Sequence, residues 1–313
     1  MATSPIHRIA VPNPFFEGRN SVYVLRCDPV TLIDSGVATD LSWQALTDGL
    51  RDLHLQVRDI ERVILTHKHI DHIGNAWRLQ REAEAEICIH QCETKSLTDV
   101  DASGNRFAAM VSSRLEAWRV PEHLHPSKSS DAKMPDWQLK PCEQVTELDD
   151  GQILPTECEP LEVIHTPGHT MGSVCLKYGD EALFLGDHVL RAISPNVGGG
   201  DMRSRGMLTH FLRSLDRVSP LGNDILLYPG HGNRFDGLAD RCAELKHHHD
   251  ERLAKTRDAV SQQPRTVFEV ATELFGELSG FHVVLGCAEA NSHLEHLVDL
   301  GEVHEADNRF RAE

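Results

Sequence analysis

Thr66-His67-Lys68-His69-Ile70-Asp71-His72 places three imidazoles and one carboxylate within six residues, directly after the apolar run Val63-Ile64-Leu65. Such a continuous apolar run reads as a buried strand, so the histidines fall on the loop that leaves its end. Residues i and i+2 of an extended segment project to the same side, which lets His67 and His69 grip one ion. Asp71 and His72 follow as the chain turns toward a helix at Gly74, and there they can face a second ion.

The same arrangement, a polar ligand on a loop at a strand end, recurs three times downstream. His169 lies in Thr166-Pro-Gly-His-Thr170 after the strand Leu161 to Ile164. Asp187 lies in Phe184-Leu-Gly-Asp187 after the strand beginning at Ala182, and His231 lies in Tyr228-Pro-Gly-His231 after the strand beginning at Ile225. Glycine precedes each ligand, which permits sharp turns and close backbone approach. Imidazole and carboxylate together suit zinc, and they also accept iron or manganese.

Taken in order, these H-x-H-x-D-H, P-G-H, G-D and G-H motifs resemble the metallo-β-lactamase superfamily over about residues 20 to 235. The resemblance implies an α/β fold, the four-layer αββα sandwich of that superfamily. It also implies a dinuclear metal hydrolase using a metal-bridging hydroxide, with two divalent ions per chain, zinc first among the candidates. By this likeness His67, His69 and His169 bind one ion, Asp71, His72 and His231 bind the other, and Asp187 bridges them. Asp71 and Asp187 are then the catalytic carboxylates, and Asp34, in Leu32-Ile-Asp-Ser-Gly36, orients imidazoles from behind. One departure from the family pattern is Asn75, where many relatives carry a second glycine.

The pattern predicts a catalytic domain over 1–235, with an insertion at about 101–140, and a helical, winged-helix-like segment over 236–313. The insertion carries the stripe Phe107, Met110, Val111, Leu115 and Trp118, then a loop from Pro121 to Pro135; packing on the core and closure over the site as a lid are both open readings. The tail resembles that of the lactamase-beta-like endoribonuclease branch through Leu245-Lys-His-His-His-Asp-Glu-Arg252 and Thr266-Val-Phe-Glu-Val270. Its apolar positions Val267, Val270, Ala271 and Leu274 have helical spacing and predict packing on the catalytic domain or in a homodimer. His247, His248 and His249 point about 100° apart on a helix, so they cannot chelate one ion together, and they read as a solvated face.

Charge narrows the substrate. The chain carries a net charge of −17, and from Asp236 onward eight cations face sixteen carboxylates. A tail that grips a phosphate backbone needs the opposite balance. The reading is therefore a small-molecule thioester, ester or lactone as substrate, with a single-strand endoribonuclease and a non-catalytic binding protein as alternatives. A flavoprotein oxidoreductase needs an added flavin domain, for which the residues after Phe235 are too few. Arg203 and Arg205, in the loop Ser194 to Gly206, are candidate contacts for an anionic group on the substrate; pairing with surface carboxylates such as Asp201 is the competing reading. No stretch approaches the ~18 apolar residues of a membrane span, and the first residues lack a signal-peptide pattern. Eight cysteines without a C-x-x-C pair read as small buried hydrophobes in a reducing cytoplasm.

Overall fold

The computed structural model describes residues 4–15, 18–126, 139–199, 201, 202 and 204–313. Among them, β1 (Ile6–Val11), β2 (Asn20–Leu25), β3 (Thr31–Ile33), β4 (Arg62–Ile64), β5 (Glu86–His90) and β6 (Thr146–Leu148) form one sheet in that spatial order. Its first three strands pair antiparallel and the last four pair parallel. A second sheet holds β7 (Ile153–Leu154), β8 (Leu161–His165), β9 (Val174–Tyr178), β10 (Ala182–Gly186) and β11 (Leu226–Pro229), with β11 at one edge and β7 at the other. The helices are α1 (Asp40–Asp52), α2 (Ile70–Ile73), α3 (Ala76–Ala83), α4 (Thr94–Thr98), α5 (Val100–Ala117), α6 (Met207–Val218), α7 (Leu238–Ala259), α8 (Val267–Phe275) and α9 (Phe281–Asp299). A hairpin of β12 (Val303–Ala306) and β13 (Arg309–Ala312) closes the chain.

Alternation along two strands fixes the layers. In β2, Val22 and Val24 pack with Leu46 and Leu50 of α1 and Leu79 of α3, while Tyr23 and Leu25 pack with Leu176 and Phe184 of the second sheet. In β10 the even positions Ala182 and Phe184 face the first sheet, and Leu183 and Leu185 face Phe211 of α6 and Leu245 of α7. Side chains of a strand alternate between faces, so a strand buried at every position must lie between two layers. The order is helices, sheet, sheet, helices: the four-layer αββα sandwich. Each of these apolar side chains contributes about 1.5–3 kcal/mol through burial.

A further core joins the predicted insertion to the tail. Leu115 of α5, Trp118 and Val120 pack with Val267, Val270 and Ala271 of α8 and with Val284, Ala288 and Leu294 of α9. The apolar stripe of α5 thus packs against α8 and α9, while residues 127–138 of the insertion lie outside the described residues. Helix α7 ties the two regions: Leu238, Cys242 and Leu245 sit on the second sheet's helical layer, and Ala259 sits in the tail core. Thr266 and Glu269 form a capping box at the start of α8, with Glu269 N donating to Thr266 Oγ1 at 3.2 Å and Thr266 N to Glu269 Oε2 at 2.7 Å. No helix among the described residues is long and apolar enough to cross a membrane.

Two sequence expectations are corrected here. Cys27 and Cys158 are joined in a disulfide across 131 residues, with Cα atoms 6.0 Å apart. Six cysteines stay free, five of them buried. The pair removes part of the ground for a cytoplasmic reading, because disulfides persist mainly in oxidising compartments. His249 does not belong to a solvated face: it is fully buried, His248 is half-buried and His247 is exposed.

Candidate metal centre

The site lies where the two sheets end side by side. β4 leads through Leu65 into the histidine loop, β8 into His169, β10 into Asp187 and β11 into His231. The backbone links these ends directly: Val174 N donates to Thr66 O at 2.9 Å and Gly230 N to Gly186 O at 2.7 Å. Loops from both sheets therefore converge, although their ligands are scattered from 67 to 231 in sequence.

Two glycines are required for that approach. A Cβ on Gly230 would lie 2.2 Å from Asp187 Oδ1 and 2.8 Å from the His72 ring. Gly168 has φ +140, and a Cβ there would lie 2.4 Å from the backbone of Phe211. A larger residue at Gly230 displaces candidate ligands, and one at Gly168 pushes the His169 loop away from α6.

All seven predicted ligands come together. His67, His69 and His169 offer nitrogen atoms within 4.8 Å of one another; so do the ligand atoms of His67, His72 and Asp187, and of Asp71, His72 and His231. Asp187 spans the groups: Oδ1 is 3.6 Å from His72 Nε2, while Oδ2 is 3.8 Å from His169 Nε2 and 3.3 Å from His231 Nε2. Asp71 Oδ2 lies 3.4 Å from His231 Nε2 and 3.7 Å from His72 Nε2. His69 is partly exposed, whereas the other six are buried, so the site opens to solvent on its side. Lys68, between the paired histidines, turns away to an ion pair with Asp201, whose other oxygen accepts from Met171 N at 2.6 Å.

Hydrogen bonds behind the rings fix which nitrogen faces inward. His72 Nδ1 donates to Asp34 Oδ2 at 2.8 Å. Thr66 Oγ1 donates to the same carboxylate, leaving its oxygen to accept from His67 Nδ1 at 3.1 Å. Asp34 thereby orients two imidazoles, one directly and one through Thr66, as the sequence predicted for an orienting carboxylate. His169 Nδ1 donates to the Asn196 carbonyl at 2.8 Å. In each case Nε2 is turned toward the other candidate ligands, and that of His169 lies 3.0 Å from His69 Nδ1.

Those inward atoms suit a cation. Among the described residues, His67 Nε2, His231 Nε2 and Asp187 Oδ1 are buried without a hydrogen-bond partner, a costly condition in a folded protein, and divalent ions held there would satisfy them. Without it the charges compensate one another. Burial disfavours protonation of His72 and His231, yet Asp187 and its neighbouring carboxylates raise both, His231 to about 10. Burial likewise opposes ionisation of Asp71 and Asp187, but His72 and His231 hold both below the usual carboxylate range. His67 and His69 are pushed well down by burial and by the neighbouring imidazoles.

Sequence reasoning missed the amides that serve the site. Asn13 Nδ2 and Asn20 Nδ2 donate to Asp71 Oδ2 at 3.0 and 3.1 Å; a lone asparagine before or inside an N-terminal strand gives no signal of that role. Asn75, the family departure, holds the Asp34 loop by donating to Ser35 O and Val37 O, both at 2.9 Å. Of the two arginines, Arg205 is exposed and reaches Asp299 of α9 at 3.9 Å, and Arg203 lies outside the described residues.

Comparison with known proteins agrees with this geometry. Over 305 residues, 94% of this chain and 92% of the relative, the sequence is 27% identical to a probable metallo-hydrolase, YqjP, of Bacillus subtilis. It is 28% identical over 191 residues to a probable metallo-hydrolase of Methanocaldococcus jannaschii, covering 60% of this chain and 78% of that one. Among solved structures, a metallo-beta-lactamase family protein from Thermus thermophilus superposes with a TM-score of 0.86 at 27% identity, covering 99% of both chains. The described family match runs over residues 15–231, a span that holds every one of the seven converging side chains, and the chain belongs to the metallo-beta-lactamase superfamily.

Proposed function

We propose that the chain is a dinuclear metal-dependent hydrolase acting on a small-molecule thioester, ester or lactone. The observation that carries this reading is the converging set of buried nitrogen and carboxylate atoms, three of which lack a hydrogen-bond partner among the described residues. His67, His69 and His169 would hold one ion, Asp71, His72 and His231 the other, and Asp187 would lie between them; zinc suits this donor set. Bound there, such ions would supply Lewis acidity, activating a water near neutral pH and polarising the scissile oxygen.

The chain's own residues do the rest. Asp34 and the Asn196 carbonyl hold three imidazoles with Nε2 inward. Asn13 and Asn20 fix the Asp71 carboxylate. Asp71 and Asp187, kept ionised by His72 and His231, are the catalytic carboxylates, each offering an oxygen for the proton of the attacking water. The buried wall excludes bulk water except at His69.

The acidic tail supports a small substrate over a nucleic acid. Helices α8 and α9 with the β12–β13 hairpin support the winged-helix-like reading of that tail, though its charge does not support the nuclease role. Phe281 and Leu300, exposed at the two ends of α9, support a homodimer through the tail, which a mass measurement at micromolar concentration checks. Arg203 and Arg205 are the proposed contacts for an anionic group on the substrate.

The test is a zinc-loaded preparation run against thioester, lactone and phosphodiester panels. Turnover of a thioester, ester or lactone that stops on chelation supports the reading. Turnover of phosphodiesters alone, or full activity without metal, contradicts it. On the substrate found, Arg205→Ala should raise KM about tenfold, a loss of ~1.4 kcal/mol; unchanged kinetics assign Arg205 to its surface pair with Asp299.

A further inference from the structure

The loop after Asp187 links the candidate metal centre to the C-terminal tail. Its Asn196 carbonyl accepts from His169 Nδ1 at 2.8 Å, which turns Nε2 of that ring toward the site and to within 3.0 Å of His69 Nδ1. The same residue's amide is held from the other side, by α9. Asn196 Nδ2 donates to Glu289 Oε2 at 3.2 Å and to Leu285 O at 3.3 Å. Val197 N donates to Glu289 Oε2 at 2.8 Å, and Ser292 Oγ donates to Val197 O at 3.2 Å. Leu285, Glu289 and Ser292 are spaced four and three apart, so they lie on one face of α9.

Glu289 is the central member of that face. It is 3% exposed, and its other oxygen accepts from Arg252 Nη1 of α7 at 3.1 Å. A carboxylate so placed, 92 residues from Val197 in sequence, has both oxygens engaged. One of them carries two donors from the segment that orients His169. Burial makes such charge-assisted bonds strong and their loss costly.

We propose that Glu289 is a positioning residue for the metal centre: by clamping Asn196 and Val197 onto α9 it fixes the carbonyl that orients His169, so the tail sets the affinity of the His67–His69–His169 site. The inference rests on the metal-centre reading above. It gives the tail a role at the site that needs neither nucleic acid nor a second subunit.

The experiment is a zinc titration against a chromophoric chelator at fixed pH, on the full chain, with circular dichroism and Tm recorded for each variant. Wild type should bind in two steps. Glu289→Ala should weaken one step by about tenfold to a hundredfold and leave the other unchanged. Glu289→Gln, which keeps an acceptor oxygen, should fall between. Asn196→Ala removes the amide that Glu289 holds while keeping the backbone carbonyl; it should weaken the same step, and it decides the matter if Glu289→Ala does not fold. Variants that lose Tm but bind both equivalents as wild type does overturn the inference and leave Glu289 a packing residue. A wild type that binds no zinc overturns the metal reading itself, and the inference with it.

Discussion

Two buried histidine clusters stand in this molecule, and they have opposite chemistry. At the sheet ends, the rings of His67, His72, His169 and His231 turn Nε2 toward one another and toward two carboxylates, with His67 Nε2 and His231 Nε2 unpartnered. In the tail, His249, Glu289 and His293 also bring ligand atoms within 4.8 Å. There the nitrogens are used up: His249 Nε2 meets Ser194 Oγ at 3.3 Å, His249 Nδ1 meets His293 Nε2 at 3.1 Å, and His293 Nδ1 donates to Glu289 O at 2.8 Å. The Glu289 carboxylate is spent on Arg252, Asn196 and Val197. The two clusters share proximity and differ in that the sheet-end one keeps converging atoms without hydrogen-bond partners among the described residues.

The largest effect that sharpens this contrast is at Asp187. Asp187→Ala removes the carboxylate that approaches His72, His169 and His231. Zinc content and hydrolysis should fall together, hydrolysis by more than the ~10–100-fold typical of an outer partner. A variant that keeps both would break the assignment of Asp187 as the bridge.

In the tail cluster the corresponding change should act on stability alone. His249→Ala leaves His293 Nε2 buried without its donor, a penalty of about 1–3 kcal/mol. Its Tm should drop while zinc content stays at the wild-type value. Loss of a zinc equivalent in this variant would mean that the tail cluster binds metal after all.

Proton linkage separates the clusters by sign. Burial pushes His249 and His293 down to about 2 and about 3. Between pH 6.5 and about 3 the unfolded chain binds protons that these folded rings refuse, so stability falls as pH drops through that window. His249→Ala should flatten part of that slope. At the metal centre, His231 is raised to about 10 despite burial, by Asp187 and Asp71. Zinc must displace that proton, so binding near neutral pH should release protons, and affinity should rise with pH toward 10. Zinc binding without proton release would contradict the protonation of His231.

How much of this was legible in the sequence follows from where partners sit along the chain. His67, His69, Asp71 and His72 fall in one strand-end loop, and the other three candidate ligands each follow a strand and a glycine, so local reading picked out the seven side chains that converge. The layers followed from the family resemblance of the motifs, and β2 and β10, buried on both faces, agree with them. Contacts between distant segments were not legible. The rule that consecutive helical histidines diverge says that His247, His248 and His249 do not chelate together, but it does not say which one faces the core. His293, which receives His249, lies 44 residues away on another helix. Cys27 and Cys158 are 131 residues apart with no spacing motif. Asn196 serves His169 through a backbone carbonyl, a group every residue carries and no composition reveals.

Counting metal on the wild-type chain tests the central claim most directly. Protein equilibrated with excess zinc, then freed of unbound metal, should hold about two equivalents per chain by elemental analysis. Two agrees with a dinuclear centre and a tail cluster closed by its own hydrogen bonds. Three would show that the hydrogen-bonded histidines of the tail also take a cation, and none would show that unpartnered nitrogens at the sheet ends do not.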